Sequence, residues 1–317
     1  MKPAVKIAAF AAAVAATFGT AFAVGDAVGP VSSGPDEKPA AHGGHTPGAR
    51  TEADPPGGLQ VSEGGYTLDL ETGRVSAGAK SVLRFTVRDA DGRPVTEYRR
   101  EHEKELHLIV ASRDLTAYRH LHPVRAADGT WSVGADLPAA GSYRVFADFT
   151  PAAGGRNLTL GTDLAVTGRY APAPLPETGA RATVDGYTVR LTGSLAPGSD
   201  SELAFEVTRD GRPVRLQPYL GAYGHLVALR SGDLAYLHVH PHEKAHGTAA
   251  SGPKVAFTAA APSDGAYRLF LDFKADGAVR TAAFTVRTDG TAAPAPATKH
   301  AEDSEHTKDA EDAPHGH

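Results

Sequence analysis

The middle of the chain alternates short apolar, β-type runs with turn residues such as Gly, Pro, Asp and Ser. Helix signals are nearly absent after the N-terminus, so the pattern favours an all-β body. In the first half it predicts seven strands, over 65–70, 82–87, 106–112, 117–122, 131–137, 142–149 and 158–166. Seven strands in about 100 residues are typical of an immunoglobulin-like β-sandwich.

The same pattern then occurs a second time. Segment 58–168 matches segment 180–287 in order, which predicts two tandem copies of one β-sandwich. The recurring pieces are Gly65-Tyr66-Thr67 with Gly186-Tyr187-Thr188, Gly92-Arg93-Pro94-Val95 with Gly211-Arg212-Pro213-Val214, His107-Leu108 with His225-Leu226, His120-x-His122-Pro123 with His238-x-His240-Pro241, and Tyr143-Arg-x-Phe-x-Asp-Phe149 with Tyr267-Arg-x-Phe-x-Asp-Phe273.

One local motif sharpens the fold prediction. Asp264-Gly265-Ala266-Tyr267 resembles the tyrosine corner of immunoglobulin-like sandwiches, in which a Tyr hydroxyl bonds back to nearby backbone. Tyr143 is its counterpart in the first repeat. Val145 and Leu269 fall where antibody domains place a cysteine, so we expect apolar packing in place of a disulfide.

Composition narrows the chemistry that this fold can carry. The 317 residues include no cysteine, which excludes disulfides and thiolate metal sites, and the only methionine is Met1. The net charge is −5, and the segment from Thr288 onward, with seven acids and two lysines, accounts for all of it. The rest is close to neutral and has no basic stripe, so we expect no nucleic-acid partner.

The N-terminus has the layout of an export signal. Lys2 and Lys6 precede an apolar stretch over 7–24, and Ala21-Phe22-Ala23 fits a small-x-small cleavage site. Segment 1–24 is therefore predicted to be a signal peptide, or an uncleaved helix that anchors the protein in the cytoplasmic membrane through residues 7–24. Either outcome exports the body to the extracellular side or cell surface.

Two further segments are too rich in Gly, Pro, Ala or charge to bury a core. Segment 25–57 is predicted to be a disordered linker and 288–317 a disordered, acidic, histidine-containing tail. Both carry histidines that can collect metal weakly: His42, His45, His300, His306, His315 and His317.

The repeated histidines are the candidate chemistry. If strands 106–112 and 117–122 form a hairpin whose turn centres between Asp114 and Leu115, His107 faces His122 and Ile109 faces His120. The second repeat then places His225 opposite His240 and Val227 opposite His238. Residues two apart on a strand share a face, so three imidazoles converge in each repeat.

Three histidines with an open fourth position are a known arrangement for Zn²⁺, and imidazole also suits Cu²⁺. Because the chain lacks the sulfur ligands that Cu(I) prefers, we predict Cu(II) or Zn(II) as the bound ion. The predicted metal ligands are His107, His120 and His122 in the first repeat and His225, His238 and His240 in the second.

Other readings of the same residues stay open. The histidines can be structural, with rings packed on Tyr118 or Tyr236 and bonded to backbone. His242 is a further candidate ligand in the second repeat, where the first has Val124 at the corresponding position. Four acids are candidate outer partners of the ligands or ordinary solvated charges: Glu103, Glu105, Asp148 and Asp272.

The run from His107 to Pro123, followed by Gly141-x-Tyr143-x-x-Phe-x-Asp-Phe149, resembles exported bacterial heavy-metal-binding β-sandwich domains. These are similar to periplasmic copper-handling modules of Gram-positive bacteria. The resemblance covers both repeats, 58–287. It implies an immunoglobulin-like fold and divalent metal binding, with the six repeated histidines at the matching positions.

These features bear on three classes of function. The first is an exported metal-binding protein that buffers or presents divalent ions. The second is an adhesion or interaction protein with a cell-surface partner and structural histidines. An enzyme is not expected, because the chain has no Gly-rich phosphate loop, no Gly-x-Ser-x-Gly elbow and no cysteine nucleophile.

Overall fold

A computed structural model describes residues 56–237, 239–243, 245 and 250–288, together with Val14 and Thr17, which are helical. Among these residues no helix has both the length and the apolar character that crossing a membrane requires. The predicted signal or anchor (apart from Val14 and Thr17), most of the predicted linker and the predicted tail beyond Thr288 lie outside the described residues.

The first repeat is a sandwich of two sheets. One has the strand order β1-β2-β4-β9-β8, and the other has the order β3-β11-β10-β6-β7, with β5 attached to β10. Its strands are β1 Ser62–Glu63, β2 Tyr66–Leu70, β3 Arg74–Ser76, β4 Lys80–Arg88, β5 Tyr98–Arg99, β6 Leu106–Ser112, β7 Tyr118–Leu121, β8 Val124–Arg125, β9 Thr130–Asp136, β10 Gly141–Pro151 and β11 Leu158–Thr167.

The second repeat is also a sandwich of two sheets, the second of which has four strands. One sheet has the order β12-β13-β14-β19-β18, with β15 attached to β14, and the other has the order β17-β16-β20-β21. Its strands are β12 Arg181–Val184, β13 Tyr187–Thr192, β14 Asp200–Arg209, β15 Arg212–Pro213, β16 His225–Arg230, β17 Tyr236–Leu237, β18 Val239–Pro241, β19 Lys254–Ala260, β20 Gly265–Ala275 and β21 Ala278–Thr288. The prediction of two tandem immunoglobulin-like sandwiches is confirmed.

Each sandwich encloses its own apolar core. Val145 and Leu269, at the positions of the antibody cysteines, are fully buried in the first and second core. Both tyrosine corners form: Tyr143 donates its hydroxyl proton to the carbonyl oxygen of Ala139 at 2.9 Å, and Tyr267 donates to that of Ser263 at 2.7 Å. The apolar side chains and these corners replace a disulfide.

A third apolar cluster joins the two sandwiches. It combines outward-facing residues of β6 and β10 with those of β16 and β20, so the two sheets pack face to face. The contacts are reciprocal, as expected of duplicated domains. Tyr118 stacks on Phe270 with ring centroids 4.0 Å apart, and the equivalent rings of Tyr236 and Phe146 lie 5.7 Å apart.

The end of the predicted linker is part of this joint. Gly57 pairs with Tyr236 of the second repeat, and the Gly58 amide donates to the Thr159 carbonyl of the first at 2.6 Å. Arg144 donates to the Gly58 carbonyl oxygen at 2.7 Å. Gly161 permits this close approach, because a Cβ there would lie 2.0 Å from that oxygen. Gly57, the last residue of the predicted linker, is therefore part of the contact between the sandwiches.

Candidate metal centre

Three histidines of the first repeat lie on one face of the β6–β7 hairpin. Leu108 pairs with Leu121 and Ile109 with His120, which is the register predicted from the sequence. His107 belongs to β6, His120 to β7, and His122 follows directly after β7. This set of three residues is called the histidine trio below.

The rings of the trio converge on one point. One nitrogen of each ring lies within 4.8 Å of the others, and among the described residues no other group of three His, Cys, Asp or Glu side chains meets this condition. The ring centroids are 5.3 Å apart for His107–His120 and His107–His122, and 4.8 Å for His120–His122. Tetrahedral Zn²⁺ with Zn–N bonds of about 2.05 Å places its nitrogens about 3.3 Å apart, so modest closure suffices.

The hydrogen bonds around the trio decide which nitrogens carry protons. His107 Nε2 lies 3.1 Å from the carbonyl oxygen of Glu101, and His120 Nδ1 lies 2.7 Å from Oδ2 of Asp272. Both oxygens accept, so each of these nitrogens donates its proton outward. The remaining nitrogens, His107 Nδ1 and His120 Nε2, face each other at 3.1 Å as two lone pairs. That arrangement needs a cation or a shared proton between them.

The third ring adds an unsatisfied nitrogen. His122 Nε2 is buried and has no hydrogen-bond partner among the described residues. A buried polar atom without a partner costs free energy that a metal–ligand bond would recover.

Burial keeps two of the three rings of the trio in the uncharged form. Desolvation, followed by the charge of His120, lowers the pKa of His107 from 6.5 to about 2. Desolvation and the same neighbour lower the pKa of His122 to about 4, with a further effect from Lys104. At neutral pH both rings are uncharged, which is the form that binds metal.

The second repeat forms the other wall of the centre. Asp272 of β20, which bonds His120, is held in turn by the Thr281 hydroxyl at 2.5 Å. The ring of His225 lies 6.1 Å from those of His107 and His120, and Tyr219 lies 6.2 Å from His122. Burial and the nearby His102 and His120 lower the pKa of His225 to about 3.

His102 belongs to the cluster and was not predicted. Its ring packs edge-on against His225 with centroids 4.9 Å apart. It occupies a tight turn in which Glu101 and Lys104 exchange backbone bonds of 2.9 and 3.0 Å. Both central residues have positive φ, 49° for His102 and 64° for Glu103, as a type I′ turn demands. Turn prediction looks for Asn or Gly at such positions, so the signal was missed.

A small cavity runs beside the cluster, between the repeats. Its volume is about 60 Å³, and the residues that line it include His102, His107, His120, Asp148 and His225. Asp148 is partly buried there, and desolvation raises its pKa to about 6 while hydrogen bonds, the first from Asn157, act in the opposite direction. The cavity is large enough for water or an ion to reach the rings.

The second predicted trio is described only in part. The β16–β17 hairpin has the predicted register, with Ala228 opposite Leu237, and β18 contains the backbone of His240. His238 and the His240 side chain lie outside the described residues, so this metal site stays a prediction. The described member, His225, packs against histidines of the first repeat.

The remaining candidate residues have other partners. His242 is exposed, and its Nε2 lies 2.7 Å from the Thr258 hydroxyl. Of the acids, Glu105 pairs with Arg125 at 3.4 Å and Glu103 is exposed. Asp272 is the acid that directly contacts a trio histidine among the described residues.

The lowered histidine pKa values predict acid sensitivity of the metal-free protein. Below pH 6.5 the unfolded state takes up protons that folded His107, His122 and His225 refuse, so stability falls as the pH drops toward their folded pKa values. Below pH 6.5, His107 and His225 each lower the free energy of unfolding by up to about 1.4 kcal/mol per pH unit. Asp148 acts oppositely between about pH 6 and 4, since its raised pKa favours the protonated folded form.

The destabilising effect of the three histidines is larger than the opposite effect of Asp148. Urea unfolding with a chelator present should therefore show a lower free energy of unfolding at pH 5 than at pH 7. Stability that is constant or higher at pH 5 would contradict the burial of these rings.

The strained turn predicts a stabilising substitution. Replacing Glu103 by Gly should raise the free energy of unfolding by about 0.5–1 kcal/mol, because Gly adopts positive φ without the penalty that other residues carry. The second repeat has Gly221 at this position, with φ 74°. The matched control, Gly221→Ala, should lose about 1 kcal/mol. Denaturant melts of both variants test the pair, and a loss for Glu103→Gly would disprove the strain.

The comparisons with known proteins give the family. The family described as "Domain of unknown function (DUF8832)" matches residues 60–168 and 182–290, one copy per sandwich. The chain belongs to this family. No curated protein matches it.

Three solved structures illustrate the low overall similarity to known proteins. The Escherichia coli adhesin FdeC shares 14% identity over 72% of this chain and 65% of its own, less than two thirds of its length, with a TM-score of 0.24. Domains 5–6 of the S-layer protein SbsC share 14% sequence identity with this chain, and the match covers 71% of this chain and 98% of theirs, with a TM-score of 0.20. Invasin, described as a bacterial integrin-binding protein, shares 13% sequence identity with this chain, and the match covers 71% of this chain and 39% of invasin, with a TM-score of 0.20.

Proposed function

We propose that this protein binds a divalent transition-metal ion, Zn(II) or Cu(II), at His107, His120 and His122. The observation that carries the proposal is that His107 Nδ1 and His120 Nε2 face each other at 3.1 Å. The other nitrogen of each ring is hydrogen-bonded to an oxygen outside the trio, so the two facing nitrogens carry lone pairs. A metal ion satisfies both nitrogens at once, and the unpartnered Nε2 of His122 supplies the third ligand.

The donor set favours these two ions. Three neutral imidazoles suit Zn(II) and Cu(II), and the chain offers no thiolate and, beyond Met1, no thioether for Cu(I). Asp272 behind His120 adds the carboxylate–histidine–metal arrangement common in zinc sites.

The repeat extends the proposal to a second ion. His225, His238 and His240 correspond to the trio by sequence, so one ion per repeat is expected. With the export signal predicted over 1–24, the protein buffers or presents metal outside the cytoplasm, secreted or anchored through 7–24. The resemblance to heavy-metal-binding sandwiches agrees with this function.

Zinc titration of the full chain by calorimetry tests the proposal. Histidines elsewhere in the chain bind weakly, so the informative quantity is the number of ions bound with micromolar or tighter affinity. We expect about two in the wild type and one fewer in His120→Ala. The matched control is His242→Ala, which removes an exposed histidine outside the trio and should retain both. Unchanged tight binding in His120→Ala would refute the site.

The alternative is an interaction protein with a cell-surface partner and structural histidines. The outward bonds of His107 and His120 to Glu101 and Asp272 are the observation that favours it, since they tie the rings into the fold without any ion. The same titration decides: a wild type without tight zinc binding supports this reading.

A further inference from the structure

We propose that the centre is shared between the two repeats, so that Asp272 of the second repeat positions His120 of the first, and ion binding and repeat docking stabilise each other. This inference rests on the proposed function, since it assumes that the trio binds an ion. It goes further by giving the centre a second role, that of a metal-dependent clamp between the sandwiches.

The contact between His120 and Asp272 is direct and buried. His120 Nδ1 donates to Asp272 Oδ2 at 2.7 Å, and the two side chains are only 5% and 3% exposed. Thr281 fixes the other carboxylate oxygen of Asp272. The carboxylate therefore selects the tautomer in which His120 Nε2 carries the lone pair, and it holds the ring with that nitrogen toward His107. Asp272 is a positioning residue.

The same strands carry the apolar joint between the repeats. Tyr118 and Phe270, whose rings stack at 4.0 Å, stand two residues before His120 and Asp272 on β7 and β20. Residues two apart on a strand share a face, so docking of the apolar pair brings the polar pair into register. Separation of the repeats would remove Asp272 from His120 and expose the trio to solvent.

Thermodynamic linkage follows from this geometry. If the ion binds more tightly when the repeats are docked, it must favour docking by the same factor. Partners such as Asp272 typically change metal affinity by 10- to 100-fold when removed.

Zinc titration of the full-length Asp272→Asn variant tests the positioning role. Asn keeps the size of the side chain but removes the charge, so we expect the dissociation constant of the trio site to rise 10- to 100-fold. The visible spectrum of Co(II) bound in place of zinc should change with it, because the ligand geometry changes. The control is Asp276→Asn, an exposed carboxylate just beyond the same strand, which should leave both quantities unchanged.

Hydrogen exchange tests the coupling from the other side. Zinc should slow exchange of the β16 amides at the joint at least tenfold more in the wild type than in His120→Ala, which keeps the site expected in the second repeat. Leu229→Asp places a charge in the fully buried joint, away from the histidines, and should weaken zinc binding by at least tenfold.

The outcomes separate this inference from the proposed function. Wild-type zinc affinity in Asp272→Asn, or equal slowing of β16 exchange by zinc in the wild type and in His120→Ala, would overturn the shared centre while the trio still binds metal. Absence of tight zinc binding in the wild type would instead contradict the proposed function itself.

Discussion

Saturating zinc is expected to raise the free energy of unfolding of the first repeat by about 4 kcal/mol when free zinc stands at 1,000 times the dissociation constant. The reason is that the trio is assembled only in the folded chain, where β6 and β7 bring His107 next to His120 and His122. Trp131, the single tryptophan, is 2% exposed in the core of the first repeat and reports its unfolding by fluorescence.

Guanidinium denaturation of the full chain, with and without zinc, measures this shift. His120→Ala serves as the comparison and should lose most of the gain, while His242→Ala should keep it. Equal stabilisation of all three proteins would mean that zinc acts elsewhere in the chain.

Phe270→Ala is expected to cost about 3–5 kcal/mol, the usual loss for a buried Phe. Phe270 is 3% exposed and stacks on Tyr118 across the joint between the sandwiches. Because the lost contacts lie between the repeats, the variant should also unfold in two steps, with the two cores melting separately.

Calorimetric melting measures both effects, and Val279→Ala is the control, since Val279 of β21 is 43% exposed and should cost under 0.5 kcal/mol. A loss below 1 kcal/mol with one unchanged transition would show that the stacked pair does not hold the repeats together.

The sequence was sufficient for the local geometry of the candidate site. Strand parity and an assumed turn centre placed His120 opposite Ile109, and the observed pairing agrees. This succeeds because side chains alternate strictly along a strand, so a correct hairpin register determines which side chains meet. The repeat then carries the prediction to the second hairpin, where Ala228 pairs with Leu237 as expected.

What lies opposite that face could not be predicted. Parity shows that the histidines share a face with Ile109, but it does not show that this face packs against the other sandwich. The contact of His120 with Asp272, residues 152 apart in the chain, arises only from that packing. The position of His225 beside the histidine trio also arises from that packing. His102 could not be predicted as part of the cluster, because it lies in a turn that contains no glycine to mark it in the sequence.

X-ray absorption at the zinc edge tests the central claim most directly, with the full chain loaded with half an equivalent of zinc so that only the tightest sites fill. A shell of imidazole nitrogens at about 2.0–2.1 Å is expected, together with the scattering pattern of about three rings. Alanine at His107, His120 and His122 should reduce the tightly bound zinc. A shell dominated by oxygen, or an identical spectrum and occupancy after these substitutions, would contradict a metal centre at the trio.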